Sequence, residues 1–275
     1  MAGNFVLPPT GFGPGSQLTG AEGAELEYMP LPQDMRTYVP RVPEVADPAP
    51  LSAGIARLAR MAAAAGAGHC ATFDLSDLDA ANRALVSETL GEGEVSARIH
   101  GIPALAVQES VFAGIWVLKG ADTDMAEVGP VPAQARTRAF HPRRPARSLA
   151  APLPPGVVNA PPLVTELQDR SALWRAGMAP HVVNLTLLPH TEQDLAFLDE
   201  ALGRGSVEVL SRGYGNCRLT ATALAHVWRV QFFNSMDTLI LDTFEVTDMP
   251  EVALAAAEDL ADSAERLNEV LEALA

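Results

Sequence analysis

The sequence predicts an α+β fold: two tandem copies of a helix–strand–helix–three-strand unit, with antiparallel sheets covered by helices. The second copy is extended by a fourth strand and a C-terminal helix. Three observations predict it. Residues 50–118 align with residues 162–230 at a constant offset of 112, without a gap. Each aligned block reads as short runs of alternating polarity punctuated by glycine turns, the pattern of hairpins. The last stretch of the chain carries apolar residues at helical spacing.

The offset pairs Pro50 with Pro162, Leu51 with Leu163, His69 with His181, Leu75 with Leu187 and Glu88 with Glu200. It also pairs Leu90-Gly91 with Leu202-Gly203, Gly93 with Gly205, Val95 with Val207, Gly101 with Gly213 and Trp116 with Trp228. Identities of this kind in one ungapped register point to an internal duplication.

In chain order, residues 1–47 are rich in Pro and Gly and mildly acidic. Such a segment cannot bury enough apolar surface to offset its chain entropy, which predicts a disordered tail. A recruitment motif around Met35-Arg36-Thr37-Tyr38-Val39-Pro40 is the alternative. The first repeat is assigned to residues 48–120. Leu51, Ile55, Leu58 and Ala62 predict a helix over 51–65, and Cys70 to Leu75 a short strand. Asp77 to Leu90 reads as a second helix, capped by Asp77 or Ser76 and ended by Gly91. Strands follow at Val95–Ile99, Ala104–Glu109 and Phe112–Leu118.

Residues 121–160 are Pro-rich and hold Arg136, Arg138, Arg143, Arg144 and Arg147 with no acid between them. They read as a flexible linker, with docking of the basic strip onto the acidic remainder as the alternative. The second repeat covers 161–275. Its strands are expected at Val207–Ser211, Cys217–Thr222, His226–Phe233 and Thr238–Thr243. In the third, His226, Trp228, Val230 and Phe232 share one face, while Val227, Arg229, Gln231 and Phe233 share the other. Asp248-Met249-Pro250-Glu251 starts the terminal helix, whose apolar face is expected to cover the C-terminal sheet.

Composition narrows the function. A net charge of −15 argues against nucleic acid, because the summed field repels polyanions. The N-terminus has neither a basic nor an apolar secretory region, and no uncharged apolar run reaches the roughly 18 residues a membrane helix needs. A cytoplasmic protein is expected. Two separated cysteines, Cys70 and Cys217, give no disulfide scaffold and no CxxC zinc signature.

The repeat separates framework from function. Residues common to both copies are assigned to structure: Gly101 and Gly213 at hairpin turns, Trp116 and Trp228 as core anchors, His69 and His181 as hydrogen-bonding residues at a strand entry. Residues special to the second copy are assigned to function. Tyr214, Asn216 and Arg218, together with Asn234, Ser235 and Asp237, sit on two polar turns and are the candidate partner-binding residues. A thiol site at Cys217 would need a base in reach and a lowered pKa, yet strand parity turns Cys217 and Arg218 to opposite faces. The histidines show no metal-binding spacing, so no metal and no cofactor are assigned; Cys217 is the weakest-supported metal candidate. Gly11-Phe12-Gly13-Pro14-Gly15 lacks the strand, helix and Lys-Ser/Thr of a phosphate loop.

The stretches SRGYGNCR, VWRVQFFNSMDTLILDT and EVALAAAEDLADSAERL resemble the C-terminal region of the HupH/HyaF/HoxQ proteins, accessory proteins of nickel–iron hydrogenase maturation. The likeness spans residues 181–267, with a looser one over 69–120 and around Met35 to Glu44. It implies a non-enzymatic, dedicated chaperone that binds the hydrogenase small-subunit precursor during iron–sulfur cluster assembly and before twin-arginine export. Other hydrogenase accessory proteins are further implied partners. It carries over no catalytic residue. Two alternatives stand beside it: a protein that handles an iron–sulfur cluster or metal through Cys217, and a cysteine-dependent enzyme.

Overall fold

The computed structural model describes residues 43, 47–147, 153–212 and 216–274. The chain alternates helices and strands in two similar passes. The first comprises α1 (Ser52–Gly66), β1 (Ala71–Asp74), α2 (Ala80–Leu90), β2 (Val95–Ile99), β3 (Leu105–Glu109), β4 (Ile115–Gly120) and β5 (Asp124–Val128), followed by a short α3 (Ala133–Thr137). The second comprises α4 (Ala160–Leu173), β6 (His181–Asn184), α5 (Glu192–Leu202), β7 (Val207–Ser211), β8 (Asn216–Ala221), β9 (Val227–Phe233) and β10 (Leu239–Val246), followed by α6 (Ala257–Leu274).

The helices beside the sheet begin and end where side chains and glycines dictate. Asp79 caps α2 by accepting from the Asn82 N–H at 2.8 Å, and Gly91 ends it at φ 55°. Thr191 and Asp194 form a reciprocal capping box on α5, and Gly203 ends that helix at φ 66°. One buried polar residue per pass then ties helix to helix. Asn82 Oδ1 accepts from the Gly54 N–H at 2.7 Å, and its amide donates to the Pro50 carbonyl at 3.1 Å. Asp194, 112 positions on, accepts from the N–H groups of Val158, Asn159 and Ala160 at the start of α4. Burial opposes the Asp194 charge, but these backbone donors and Thr191 prevail and hold its carboxyl well below the usual carboxylate range.

Among the described residues, ten strands form one antiparallel sheet in the order β1-β5-β4-β3-β2-β7-β8-β9-β10-β6. The two passes meet at β2 and β7. Their register sets Val95 opposite Ser211, Ala97 opposite Val209 and Ile99 opposite Val207. Ala97 and Val209, the central pair, are 112 positions apart, the same offset at which the two stretches of sequence align.

Strand alternation divides the buried residues between the two faces. One face is apolar across its centre: Ile99, Val107, Trp116, Val209, Leu219 and Trp228 pack with Ala135, Ala139, Met249 and Ala253, which cross over them. On the other face, α1, α2 and α6 cover the β1 end through Leu58, Met61, Phe73, Val86, Ile115 and Leu267. There α4 and α5 cover the β6 end through Val164, Leu167, Leu198, Val227, Phe244 and Val246. Among the described residues, no helix lies over the middle of this face.

Five expectations change. The strands join in one sheet, not one per copy. The fourth strand is no addition of the second copy, since β5 is its counterpart in the first pass. It lies in ADTDMAEVG, whose acidic start resembles a loop; residues 121–123 turn between β4 and β5, and the strand register sets Lys119 opposite Asp124. The stretch 121–160, read as a linker, therefore holds β5 and α3 and docks its arginines on the rest of the chain. Arg136 pairs with Asp248 at 2.9 Å, Arg143 with Glu208 at 2.7 Å and Arg144 with Asp199 at 2.6 Å. Asp77 and Ser76 do not cap α2: Asp77 pairs with Arg57, and Ser76 bonds back to Asp74 in the preceding turn. Finally, Asp248 to Glu251 lead only a single helical turn, and α6 starts at Ala257. Its apolar face packs on α1 of the first pass, not on the C-terminal sheet. The tail, including Met35 to Pro40, lies outside the described residues.

Candidate functional site

The candidate residues of the second pass gather at one end of the β8–β9–β10 meander. Asn216 opens β8 opposite Phe233 of β9. Its amide donates to Asp237 Oδ1 at 3.1 Å, which joins the two predicted turns into one surface. Asn234 is occupied locally, since its Oδ1 accepts from the N–H groups of Met236 and Thr238, both at 2.9 Å. Asp237 adopts φ 55°, a left-handed conformation that Asn and Asp tolerate in tight turns. Ser235 and Asp237 are exposed, and so are their neighbours Met236, Leu239 and Ile240. Arg218 lies two residues into β8 with its guanidinium 5.6 Å from the Phe233 ring centroid, a cation–π distance. Tyr214 and Gly213 lie outside the described residues.

The framework residues occupy different settings. Trp116 and Trp228 are buried, and their indole N–H groups donate to the carbonyls of Gly129 (2.9 Å) and Asp248 (3.2 Å). Gly101 turns between β2 and β3 at φ 105°. His181 bonds Glu166 at 2.7 Å, whereas His69 is exposed at the end of α1.

Cys217 points into the apolar face among Leu219, Trp228 and Val230. Burial, with the Glu245 charge adding to it, pushes its thiol up to about 12. A thiol raised in this way carries little thiolate near neutral pH, which makes it a poor nucleophile. His226 is not its base: the ring stacks on Trp174 at 4.0 Å and leans on Phe140 at 5.4 Å, and burial lowers its pKa. Among the described residues, no three His, Cys, Asp or Glu side chains are grouped so as to hold a metal.

The uncovered middle of the sheet forms a second feature, which the turn-based reading missed. The C-terminal ends of α2 and α5 flank a groove of about 820 Å³ floored by β4, β3, β2, β7, β8 and β9. Register sets its floor residues in two rows. Lys119, Ala106, Arg98, Glu208, Thr220 and Arg229 stand side by side in one. Val117, Gln108, Ser96, Leu210, Arg218 and Gln231 form the other. Arg229 is held by Asp242 through two bonds, of 3.0 and 2.6 Å, and Glu208 by Arg143. Arg98, Lys119 and Arg218 are exposed, and among the described residues none has a carboxylate within 4.0 Å. The sequence held a signal for this floor: alternation in β9 already set Arg229 and Gln231 opposite Trp228 and Val230.

The sequence has relatives among known proteins. Residues 157–274 match the family profile described as HupH hydrogenase expression protein, C-terminal conserved region. The hydrogenase expression/formation protein HupH of Rhodobacter capsulatus is 60% identical over 277 residues, covering 100% of both chains. The expression/formation protein HoxQ of Cupriavidus necator is 46% identical, covering 98% of each chain. The hydrogenase-1 operon protein HyaF of Escherichia coli is 36% identical, covering 76% of this chain and 75% of its own. A solved structure of the hydrogenase expression protein HupH from Thiobacillus denitrificans aligns with 42% of this chain and 94% of its own, at 30% identity and a TM-score of 0.38. The class is thus that of hydrogenase expression/formation accessory proteins. Within it, the chain belongs to the HupH family. No helix among the described residues is long and apolar enough to cross a membrane.

Proposed function

We propose that the protein is a dedicated chaperone of nickel–iron hydrogenase maturation, acting in the cytoplasm. It holds the small-subunit precursor while iron–sulfur clusters are assembled and before twin-arginine export. The observation that carries this reading is the 60% identity, along the whole of both chains, to a protein named for hydrogenase expression and formation. The surface supports it: exposed turns braced by Asn216 and Asp237, with apolar Met236, Leu239 and Ile240 beside them, suit a polypeptide partner. Cluster handling through Cys217, and cysteine catalysis, are both weakened by the thiol's burial and raised pKa.

A pull-down from cells producing the hydrogenase tests the reading. The small-subunit precursor is expected in the bound fraction, with its signal sequence and without it. Its absence from both refutes the chaperone role.

The fold itself is proposed to descend from one unit that paired with a copy of itself through the strand now represented by β2 and β7. The pairing of equivalent residues Ala97 and Val209 supports this, as does the matching order of strands on either side.

A further inference from the structure

The groove over the middle of the sheet carries the next step. It lies on a protein of net charge −15, yet its floor presents Arg98, Lys119 and Arg218 without carboxylate partners among the described residues. Of the other cations that line the groove, Arg229 is paired with Asp242 and Arg204 with Asp199, while exposed Arg212 stands at its edge. Lys119 is also the single lysine of the chain.

The spacing of the three cations follows from register. Lys119 and Arg98 stand in one row, two strands apart, which is about 10 Å at the usual spacing. Arg218 lies two strands further and one row over, about 12 Å from Arg98. The three mark a shallow line across the floor. An extended chain advances roughly 3.1–3.4 Å per residue, so about eight residues span the line, with an acidic side chain at about every third or fourth position. Leu210, 42% exposed between Ser96 and Arg218, gives an apolar contact beside that line.

We propose that this groove binds an extended, carboxylate-bearing segment of a partner polypeptide, with Arg98, Lys119 and Arg218 as its anion contacts. The inference rests on the reading that the protein works by holding a polypeptide, and it names the chemistry of the segment held. Charge complementarity selects the occupant. Three cations ringed by Glu92, Asp199 and Glu208 match a sparsely charged acidic peptide, while the net negative field disfavours a dense polyanion such as nucleic acid.

The test uses the full chain and a fluorescein-labelled synthetic peptide of about twelve residues with glutamate at every third position, followed by anisotropy. Binding is expected at about 50 mM salt and is expected to weaken several-fold at about 300 mM. The glutamine version of the peptide should bind at least tenfold more weakly. Arg98→Glu, Lys119→Glu and Arg218→Glu together should weaken the glutamate peptide by tenfold or more. Arg170→Glu, on the exposed face of α4, should leave it unchanged. If the triple charge reversal does not fold by circular dichroism, the corresponding three glutamine changes are expected to give the same direction of effect.

Equal binding of both peptides, unchanged binding by the folded triple variant, or equally tight binding of a single-stranded DNA oligonucleotide each overturns the proposal. A dimer seen by light scattering that the same changes dissociate would assign the groove to a second copy and also overturn it. The precursor pull-down separates this inference from the chaperone reading. Precursor recovered equally by wild type and triple variant defeats the groove alone, whereas precursor recovered by neither, with peptide binding intact, defeats the chaperone role alone.

Discussion

Glu109 gives the structure a stability that depends on pH in a calculable way. It ends β3 on the apolar face, 8% exposed, with Oε1 accepting from the Gly114 N–H at 3.1 Å. Burial pushes its carboxyl up to about 7; the Gly114 bond opposes this, and the charges of Glu94 and Asp259 add to it. A carboxyl that titrates near 4.5 in the unfolded chain and near 7 in the folded one favours the folded state when protonated. Its contribution is fully present below pH 4.5 and is lost as pH rises to about 7. At about 1.4 kcal/mol per pH unit, the loss approaches 3 kcal/mol. Other groups titrate in the same range. Burial also raises Glu127 and Glu245, in the same direction. It lowers His226, whose contribution runs the opposite way and grows as pH rises towards 6.5. Glu109→Gln isolates the one group, because glutamine keeps the acceptor for Gly114 and has no charge to bury. Urea unfolding of both proteins between pH 4.5 and 8 should give similar stabilities at the acid end. The variant should be more stable by about 2–3 kcal/mol at pH 8. Parallel stability curves across that range would refute the reasoning.

The remaining predictions concern packing. Leu267→Ala opens a cavity between α6 and α1 and should cost about 2–5 kcal/mol in urea unfolding; a cost near zero would mean that α6 does not close the first core. Of the two thiols, Cys70 is exposed and Cys217 buried, so a native-state thiol assay should count one and denaturant should release the second. Cys217→Ser places a hydroxyl among apolar side chains and should cost about 1–3 kcal/mol, and precursor capture in the pull-down should survive as long as the variant folds. The isolated second half, residues 153–275, retains β7 with its pairing edge bare. It should therefore dimerise through β7 in the register of the β2–β7 junction; a stable monomer by light scattering would contradict the self-pairing origin.

Much of the fold was legible because it rests on local signals. The strands at 95–99 and 207–211 were both predicted to the residue, since period-two alternation between glycine turns specifies them without tertiary help. What failed depended on distant partners. β5 is short and acidic at its start, and only its place between β1 and β4 makes it a strand. The arginines of 136–147 read as linker because their carboxylates, Asp248, Glu208 and Asp199, lie far away in sequence. The site divided in the same way. The polar turns were visible as a difference between the two aligned stretches of sequence, and the Asn216–Asp237 bond joins them. The groove was not visible, because Lys119, Arg98 and Arg218 become neighbours only once β4, β2 and β8 are set in order.

The two halves are tied by more than the β2–β7 ladder, and the extra ties run in both directions. After its last strand, the first half sends residues 129–147 over the central apolar face, where Ala135, Ala139 and Phe140 pack beneath Trp228 and its neighbours. That segment then reaches α5 through Arg144 and Asp199. After its last strand, the second half sends Met249 and Ala253 over the same face and lays α6 on α1. Each half thus completes its core with a segment of the other. This explains why α6 has an apolar stripe that its own sheet does not need. It also fixes the geometry of the groove. The segments that bind the halves together lie on the opposite face of the sheet, against α1 at its far end, or, at residues 143–147, along α5 at the groove's margin. Among the described residues no helix crosses the floor between α2 and α5, and its width is set by the β2–β7 junction. A surface held in this way meets a partner already formed, which lowers the ordering cost of binding and lets a few well-placed cations decide what is held.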